Sequence, residues 1–236
     1  MMDALYLVMP AYNEEENIEQ VVRDWYPVLE QTGPDSKLVI ADSGSTDRTH
    51  EILLSLQQTD FPKLVILDQT GKQHGPKLIA LYRYAIQQGA DYIFQTDSDG
   101  QTDPLEFRAF WRRRYEYDAI IGHRSSRGDG RFRAFVEGVV CALLRIIFGI
   151  RVPDANAPFR LMTTAVVDKY IDRFEEDYFL PNIMLTTFFS YYHEKLLFRR
   201  ISFKPRQGGV NSINVKKIFK AGLDALKDFI RFRKNM

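Results

Sequence analysis

The sequence predicts a single α/β domain built around a mostly parallel sheet with helices on both faces. In the first half of the chain, short apolar runs alternate with amphipathic stretches, as strands and helices do in such a domain. The runs are apolar throughout, which is typical of strands buried on both faces. A length of 236 residues and a hydrophobic content of 45% suit one large domain with a substantial core.

Five strands and four helices are predicted in this first half. The strands are at 5–9, 37–41, 64–67, 92–96 and 119–122. The helices cover 15–31, a segment capped by Ser45 or Thr46, a segment from Pro76 to Gly89, and a segment that begins at Pro104. Ligands of parallel α/β sheets bind beyond the carboxyl ends of the strands, so chemistry is expected at those ends.

The second half has a less regular pattern. It predicts a helix at 131–148, an ordered loop at 151–160, a strand at 195–203 and a final helix at 213–234. The final helix is basic and amphipathic, with apolar residues spaced by four, three and four positions. The aromatic cluster at 188–192 is interpreted as core rather than as a dimer face or an acceptor surface.

The charge distribution points to an anionic partner. The net charge is +1, but residues 195–236 contain 12 Lys/Arg and 2 Asp/Glu, so they carry +10 and the rest of the chain −9. A basic segment on an acidic body suggests contact with a diphosphate, a lipid headgroup or both. The alternative is a solvated basic helix. No nucleic-acid-binding motif accompanies the charge, so nucleic acid is not expected as a partner.

Cysteine use and hydropathy indicate the compartment. Cys141 is the single cysteine, so no internal disulfide forms and a reducing environment is expected. The N-terminus lacks the features of a secretory signal, and no apolar run reaches the roughly 18 residues of a membrane span. We therefore expect a cytoplasmic protein, either soluble or in peripheral contact with the inner face of the membrane.

Polar motifs follow the first two predicted strands. After strand one, Pro10-Ala11-Tyr12-Asn13-Glu14 offers a ring that can stack on a base or ribose and a carboxylate that can accept hydrogen bonds. An acidic helix start is the alternative interpretation. After strand two, Asp42 can accept a base N–H, whereas Ser45 to Asp47 are interpreted as a helix cap.

The sharpest motif follows strand four. Residues two apart in an extended chain point the same way, so Asp97, Asp99 and Gln101 can present three oxygen ligands on one face. Oxygen ligands suit Mg²⁺ or Mn²⁺, which would neutralise a leaving nucleoside diphosphate. A polar turn before the Pro104 helix is the alternative.

Basic residues near these strand ends can bind phosphate. They are Lys77, Arg124, Arg127, Arg160 and Arg206. Guanidinium groups match phosphate geometry, although surface salt bridges are the alternative for each one alone.

The three strand-end motifs together resemble the family 2 inverting glycosyltransferases, over about residues 4 to 125. Pro10 to Glu15 is similar to the first motif of that family, Asp42 to Asp47 to the second, and Asp97-Ser98-Asp99 to its DxD motif. The resemblance implies the GT-A fold, a Rossmann-like domain. Residues 1–125 would then bind the nucleotide sugar, and 126–236 would form a helical, acceptor-side half.

Later segments resemble dolichol-phosphate mannose synthases and other polyprenyl-phosphate glycosyltransferases. Gln101 matches their third metal ligand, and Gly122-His123-Arg124 resembles their Gly-Ser-Arg. Asp154 to Arg160 is similar to their Asp…Gly-Phe-Arg segment, and Arg206 with Gly209 to the start of a phosphate-binding loop. Two departures are the replacement of a second aspartate by Ser43 and the lack of that loop's lysine at 211–213.

The resemblance assigns a role to each candidate residue. Asp99, Asp154 and Arg206 are expected to be catalytic, with Asp154 the base for a hydroxyl acceptor, and Arg127 and Arg160 to bind the acceptor. Asp97, Asp99 and Gln101 are the expected ligands of Mg²⁺ or Mn²⁺. The nucleotide sugar is expected to contact Pro10, Ala11, Tyr12, Glu14, Asp42, Lys77, Asp97, Ser98 and Arg124.

The predicted activity is metal-dependent, inverting transfer of a sugar from a UDP- or GDP-sugar. The acceptor is a polyprenyl phosphate or a glycan in cell-envelope or polysaccharide biosynthesis. One alternative is a non-catalytic nucleotide-sugar-binding protein. A nucleotidyltransferase is the other, although the glycine-rich basic loop expected after strand one is absent. The oligomeric state is left open.

Overall fold

The computed structural model describes residues 2–124, 131–205 and 215–236. A seven-stranded sheet forms the centre of the molecule, with the strands in the order β3-β2-β1-β4-β6-β5-β7. The strands are β1 (Leu5–Ala11), β2 (Lys37–Asp42), β3 (Leu64–Leu67), β4 (Tyr92–Gln95), β5 (Ala119–Arg124), β6 (Arg160–Thr163) and β7 (Leu196–Ile201).

The predicted mostly parallel sheet is confirmed. β6 alone among these strands runs antiparallel, between β4 and β5, while the other neighbouring pairs are parallel. All five strands predicted in the first half are present, and the predicted 195–203 strand corresponds to β7. β6 was not predicted, because it has only four residues and begins with an arginine, so it lacks an apolar run.

Helices cover both faces of the sheet. They are α1 (Ile18–Trp25), α2 (Thr49–Thr59), α3 (His74–Gln87), α4 (Phe107–Trp111), α5 (Arg131–Phe148), α6 (Thr164–Ile171), α7 (Pro181–Tyr191) and α8 (Val215–Lys234). The helix predicted at 15–31 is shorter than expected. It changes to a 3₁₀-helix at 26–31, where Pro27 lacks the N–H that an α-helix needs.

The core consists of two apolar layers, one on each face of the sheet. Alternate residues of β1 divide between them: Leu5 and Leu7 pack with α1, α2 and α4, and Tyr6 and Val8 pack with α3 and α5 to α8. α6 and α7 were not predicted. α7 is buried on nearly every side, so its sequence shows no amphipathic period. The core interpretation of the aromatic cluster is confirmed for Phe188 and Phe189, which are fully buried.

No helix within the described residues is both long enough and apolar enough to cross a membrane. The most apolar of the long helices, α5, packs one side on the core through Leu144 and Phe148. Its opposite side is exposed.

The start of α3 is positioned by a close approach of two backbone segments. A Cβ at Gly75 would lie 2.3 Å from the Tyr178 carbonyl oxygen and 2.6 Å from the Phe179 Cα, whereas a Cβ at Gly138 of α5 would meet nothing within 4 Å.

We expect Gly75→Ala to lower the free energy of unfolding by about 1–3 kcal/mol, because the backbone at Tyr178 and Phe179 must move to make room for the added Cβ. Gly138→Ala should raise it by about 0.5–1 kcal/mol. Urea unfolding of both variants measures the difference, and equal effects would contradict the packing.

Candidate active site

A pocket of about 610 Å³ opens at the carboxyl ends of β1 and β4, beside the first turn of α3. This is where ligands of open α/β sheets bind, and the volume suits a small molecule. Its lining residues are Pro10, Ala11, Tyr12, Asn13, Glu14, Glu15, Glu16, Asn17, Asp47, Lys72, His74, Lys77, Asp97, Ser98 and Asp99.

Asn13 fastens the loop after β1 to the loop after β2. Its φ of 52° is left-handed, a conformation that asparagine adopts more readily than most residues. Its N–H donates to Ser45 Oγ at 3.0 Å, and its Oδ1 accepts from the N–H of Thr46 at 2.8 Å. The first two sequence motifs therefore form one hydrogen-bonded unit.

Asp47 completes this unit from the second loop. Its carboxylate accepts from the N–H of Thr49 at 3.0 Å, from Thr49 Oγ1 at 2.6 Å and from the N–H of Glu15 at 3.1 Å. Burial alone raises the pKa of Asp47, but these hydrogen bonds outweigh it and hold the pKa below its usual value. The predicted cap at Ser45 or Thr46 is wrong, because the N-cap residue of α2 is Arg48 and no side chain makes a capping hydrogen bond there. Asp47 instead holds Thr49, the first residue of α2, and also anchors the loop after β1.

Glu14 lies in the same unit and is largely buried. Its N–H donates to Thr49 Oγ1 at 2.8 Å, and its Oε2 accepts from Asn17 Nδ2 at 3.0 Å. The side chain lines the pocket, as its predicted role in donor binding requires.

Asp42 is enclosed by its neighbours. Its side chain is 1% exposed, and its two oxygens accept from Ser45 Oγ and, at 3.1 Å, from His50 Nδ1. Asp42 is not among the residues that line the pocket. The structure therefore places the predicted base-binding carboxylate behind the pocket wall, where it orients Ser45 and His50.

Tyr12 and Lys77 lie together at the pocket. The Tyr12 ring is 48% exposed, so it is open to a ligand. The Lys77 Nζ lies 5.1 Å from the centroid of that ring and donates to the Ala11 carbonyl oxygen. Burial lowers the pKa of Lys77, and the charge of Asp42 partly offsets this. The ammonium group supplies positive charge to the pocket.

Asp97, Ser98 and Asp99 all line the pocket. Ser98 Oγ donates to the Pro10 carbonyl oxygen at 2.8 Å, which ties the loop after β4 to β1. Asp97 Oδ1 lies 3.3 Å from His74 Nε2. Of the three oxygen ligands predicted on one face, Asp97 and Asp99 line the pocket.

Gln101 lies behind this pair. It is buried, its N–H donates to Asp99 Oδ1 at 3.2 Å, and its Nε2 donates to the Lys204 carbonyl oxygen at 2.7 Å. It is not among the lining residues of the pocket. In this structure Gln101 supports Asp99, and its role as a third metal ligand stays a prediction.

The charge of the pocket suits a divalent cation together with a phosphate ligand. Six of its lining residues are carboxylates, against Lys72, Lys77 and His74. A diphosphate would be repelled by this excess unless a cation came with it. Among the described residues no group of three or more His, Cys, Asp and Glu side chains forms a complete metal site. A cation held by Asp97 and Asp99 would take its remaining ligands from a diphosphate and water.

Arg124 and Asp154 form a two-pronged ion pair at the carboxyl end of β5. Arg124 Nε lies 2.7 Å from Asp154 Oδ2, and its Nη2 lies 2.8 Å from Oδ1. Both side chains are largely buried, and Glu137 of α5 lies 3.8 Å from the same guanidinium. The structure brings Arg124 and Asp154 to each other, and neither lines the pocket.

Arg160 is fully buried within the fold. Its guanidinium donates to the Ala157 carbonyl oxygen at 2.6 and 3.1 Å and to the Asn182 carbonyl oxygen at 3.1 Å. Burial lowers its pKa, and neighbouring Tyr82, Asp154 and Asp97 offset this. The structure thus gives Arg160 a role in joining β6 to α7 and does not bring it to the pocket. Arg127 and Arg206 lie outside the described residues.

Sequence reasoning missed several pocket residues: Asn13, Asp47, Lys72 and His74. Lys72 and His74 lie between the end of β3 and the first turn of α3, and the strand-end rule applied to that loop would have found them. Asn13 and Asp47 belong to motifs already recognised. Their hydrogen bonds to the partner loop are visible only in the fold.

A family model described as "Glycosyl transferase family 2" matches residues 6–173, well over half of the chain. The chain belongs to glycosyl transferase family 2. The matched region contains all three strand-end motifs and Asp154. The predicted family is therefore confirmed.

Curated relatives are glycosyltransferases that are named for a polyprenyl-phosphate acceptor. The chain is 26% identical to an undecaprenyl-phosphate 4-deoxy-4-formamido-L-arabinose transferase of Photorhabdus laumondii over 187 residues, which covers 77% of this chain and 55% of the relative. It is also 26% identical to the enzyme of that name from Pseudomonas aeruginosa strain LESB58, over 76% of this chain and 53% of the relative. The chain thus spans about half the length of these relatives.

Solved structures share the fold at low sequence identity. Glucosyl-3-phosphoglycerate synthase from Mycobacterium tuberculosis, in complex with Mn²⁺ and UDP-glucose, superposes with a TM-score of 0.70 at 17% identity, over 97% of this chain and 79% of that chain. Its complex with Mn²⁺, UDP-glucose and phosphoglyceric acid gives 0.68 at 17% identity, over 99% and 80%. The predicted GT-A fold is confirmed.

The hydrogen bonds of Asp47 predict a pH-dependent contribution to stability. We expect Asp47→Asn to lower the free energy of unfolding by about 1 kcal/mol at pH 7. Because the pKa of Asp47 is lowered in the folded state, its ionised form stabilises the fold above the unfolded-state pKa of about 4. That contribution is lost as the pH falls through the lower, folded-state pKa. Urea unfolding at a series of pH values measures the difference from wild type.

Asp68→Asn is the control for this prediction, because Asp68 is an exposed carboxylate just after β3. Its effect should stay within about 0.5 kcal/mol. A difference between wild type and Asp47→Asn that persists unchanged at acid pH would contradict the role of the ionised carboxylate.

Proposed function

We propose that this chain is a metal-dependent, inverting glycosyltransferase that moves a sugar from a UDP- or GDP-sugar to a polyprenyl phosphate. The observation that carries the proposal is the Asp97-Ser98-Asp99 turn, which lines the same pocket as the Tyr12 ring and the cationic side chains. Carboxylates for a cation, an aromatic ring for a base and ammonium groups for phosphates are the groups that a nucleotide sugar needs.

The leaving group is a nucleoside diphosphate, and its charge must be stabilised as the sugar departs. Asp97 and Asp99 would hold Mg²⁺ or Mn²⁺, which supplies positive charge to the diphosphate when bound. Lys72 and Lys77, both at the pocket, add positive charge from the protein itself. The solved structures that share this fold contain Mn²⁺ with UDP-glucose, which supports the same donor chemistry here.

Tyr12 is assigned to the base or ribose, because its half-exposed ring is the accessible aromatic surface of the pocket. Lys77 contacts that ring and the Ala11 carbonyl oxygen, so it fixes the loop after β1 while facing the diphosphate. His74, close to Asp97, holds that carboxylate toward the pocket. The enclosed Asp42 acts indirectly, by fixing Ser45, which in turn binds the Asn13 N–H.

A phosphate acceptor fits the chain better than a glycan hydroxyl. A hydroxyl needs a general base, and the predicted base Asp154 is enclosed in its ion pair with Arg124. A phosphate is already ionised: one of its oxygens forms the bond to the anomeric carbon while the bond to the diphosphate oxygen breaks, and no proton is transferred. In-line attack inverts that carbon. The names of the undecaprenyl-phosphate relatives support this acceptor.

We place this reaction in the cytoplasm, on the inner face of a membrane, in cell-envelope or polysaccharide biosynthesis. Polyprenyl chains reside in a bilayer, whereas nucleotide sugars are water-soluble, so the protein must work at the boundary between the two. Arg206 is proposed to assist the phosphates as a catalytic residue, and Arg127 to bind the acceptor.

The donor site predicts a metal-dependent thermal shift. With a nucleotide sugar at a hundred times its Kd, the folded state gains about 2.7 kcal/mol, which raises the Tm of a chain of this size by about 5–10 °C. We expect the shift with a UDP- or GDP-sugar plus Mn²⁺, and its loss in Asp99→Asn or Asp97→Asn. Differential scanning fluorimetry with UDP, GDP, CDP and dTDP sugars measures it.

Asp35→Asn is the matched control, since Asp35 is an exposed carboxylate before the amino end of β2. It should shift as wild type does. A wild-type protein whose Tm no nucleotide sugar changes, with or without metal, would refute the donor site. Binding without turnover, when polyprenyl phosphate is supplied, would favour a non-catalytic binding protein.

The ring of Tyr12 gives a second prediction. Tyr12→Ala should weaken binding of the nucleoside diphosphate about tenfold, because stacking on an aromatic ring contributes about 1–3 kcal/mol. Tyr12→Phe keeps the ring and should bind within about twofold of wild type. Isothermal titration with the nucleoside diphosphate and Mn²⁺ compares them, and equal losses in both variants would assign the effect to the hydroxyl instead.

A further inference from the structure

The outer side of α5 is apolar although it faces away from the core. Phe135, Val139 and Ile146 are 67%, 43% and 78% exposed, and their spacing of four and seven residues puts them on one side of the helix. The opposite side is buried through Leu144 and Phe148. A surface helix of a monomeric domain normally carries polar residues on its outer side. The apolar outer side of α5 is therefore suited to contact with another apolar surface.

α8 packs against α5 and has exposed apolar residues of its own. The Phe229 ring of α8 lies 6.2 Å from the Phe148 ring of α5, in the core between the helices. Leu223 and Ile230 of α8 are about half exposed. The side chain of Lys227, which lies between them in the sequence, is 81% exposed. We define the docking face by its exposed residues. They are Phe135, Val139, Ile146, Leu223 and Ile230, with the basic residues Arg145, Arg151 and Lys227.

The charge of the two helices identifies the partner. α5 contains three arginines and one glutamate, and α8 contains seven Lys/Arg and two aspartates, so together they carry +7 in a chain whose net charge is +1. Exposed apolar side chains flanked by basic ones match the boundary of an anionic bilayer, where acyl chains lie beneath negative headgroups.

A groove on this face suits a lipid headgroup. It has a volume of about 740 Å³ and lies between α5 and the segment after it. Arg145 and Arg151 line it together with the apolar side chains of Ile146, Val152 and Pro153. Both arginines are exposed. Guanidinium groups beside an apolar wall can bind a phosphate while the wall contacts the chain attached to it.

The docking face is fixed to the edge of the sheet that carries the pocket. Glu137 of α5 accepts from the N–H of Ala155 at 2.8 Å and lies 3.8 Å from Arg124, at the carboxyl end of β5. The amino-terminal half of α5 is therefore held at the edge where β1 and β4 also end, so a membrane on the docking face would lie beside the candidate active site.

We propose that the docking face, formed by α5 and α8, binds an anionic lipid bilayer peripherally, with Arg145 and Arg151 at the headgroup phosphates. This inference adds a membrane-binding surface to the proposed function and rests on that function only for the reason why the protein binds a membrane. Binding to the bilayer does not itself require the proposed activity. The contact delivers a membrane-embedded acceptor to the pocket without a spanning helix in the described part of the chain.

Vesicle co-sedimentation of the whole chain, without nucleotide or acceptor, tests the proposal. Wild type should bind phosphatidylcholine vesicles that contain about 30 mol% phosphatidylglycerol, and binding should weaken as salt is raised. Pure phosphatidylcholine should bind much less. R145Q/R151Q should lose about 30-fold in affinity, because each basic residue near an anionic surface contributes about 1 kcal/mol, which is about a fivefold factor. R108Q/R112Q changes the charge equally on α4, across the sheet, and should stay within about threefold.

An apolar pair of variants tests the other half of the surface. F135S/I146S should lose about tenfold or more in vesicle binding, because apolar area no longer enters the bilayer. L54S/L105S alters two exposed leucines on the opposite side of the sheet and should bind as wild type does. An unchanged Tm shows that each variant is folded, since all four side chains are exposed.

Three results would overturn the proposal. They are equal binding to neutral and anionic vesicles, equal losses in the α5 variants and their controls, and no binding to any vesicle by folded wild type. If light scattering shows a dimer that F135S/I146S dissociates while vesicles are not bound, the face contacts a second copy instead. The donor thermal shift involves no lipid, so the donor site and the docking face can fail independently.

Discussion

The candidate site depends on the hydrogen bonds that join the loop after β1 to the loop after β2. Asn13 in its left-handed conformation and Asp47 with its three accepted hydrogen bonds hold the two loops in register. Ser98 adds the loop after β4 by donating to the Pro10 carbonyl oxygen. Backbone polar groups need partners, and here each loop supplies hydrogen-bond partners to the next, so these bonds fix the positions of the three loops in the pocket wall.

The carboxylates in and behind the pocket wall differ in the contacts that they make. Asp42, behind the pocket wall, accepts from Ser45 and His50. Asp47, in that wall, accepts from Thr49 and from the N–H of Glu15 in the loop after β1. Asp97 and Asp99 also line the pocket, where Asp97 lies beside His74. The excess of negative charge at the pocket opposes a diphosphate that arrives without a cation, which supports the proposed metal dependence.

Charge also separates the two sides of the proposed enzyme. The pocket is acidic and suits a cation with its diphosphate, whereas α5 and α8 are basic and suit an anionic membrane surface. Glu137 connects these regions through Arg124 and Ala155, so the surface proposed to meet the lipid acceptor is held beside the strand ends. Such an arrangement allows a water-soluble donor and a membrane-bound acceptor to meet at one edge of the sheet.

The sequence alone determined the five strands of the first half, because continuous apolar runs need burial on both faces. It also placed Tyr12, Lys77, Asp97 and Asp99 at one edge, since parallel strands end together. Only the tertiary structure decided which polar groups face the pocket. Asp42 is closed off by His50, Arg124 pairs with a carboxylate 30 residues away, and Arg160 is buried against carbonyl groups as far as 22 residues away. Such pairings depend on how distant segments pack, and no local pattern of residues encodes them.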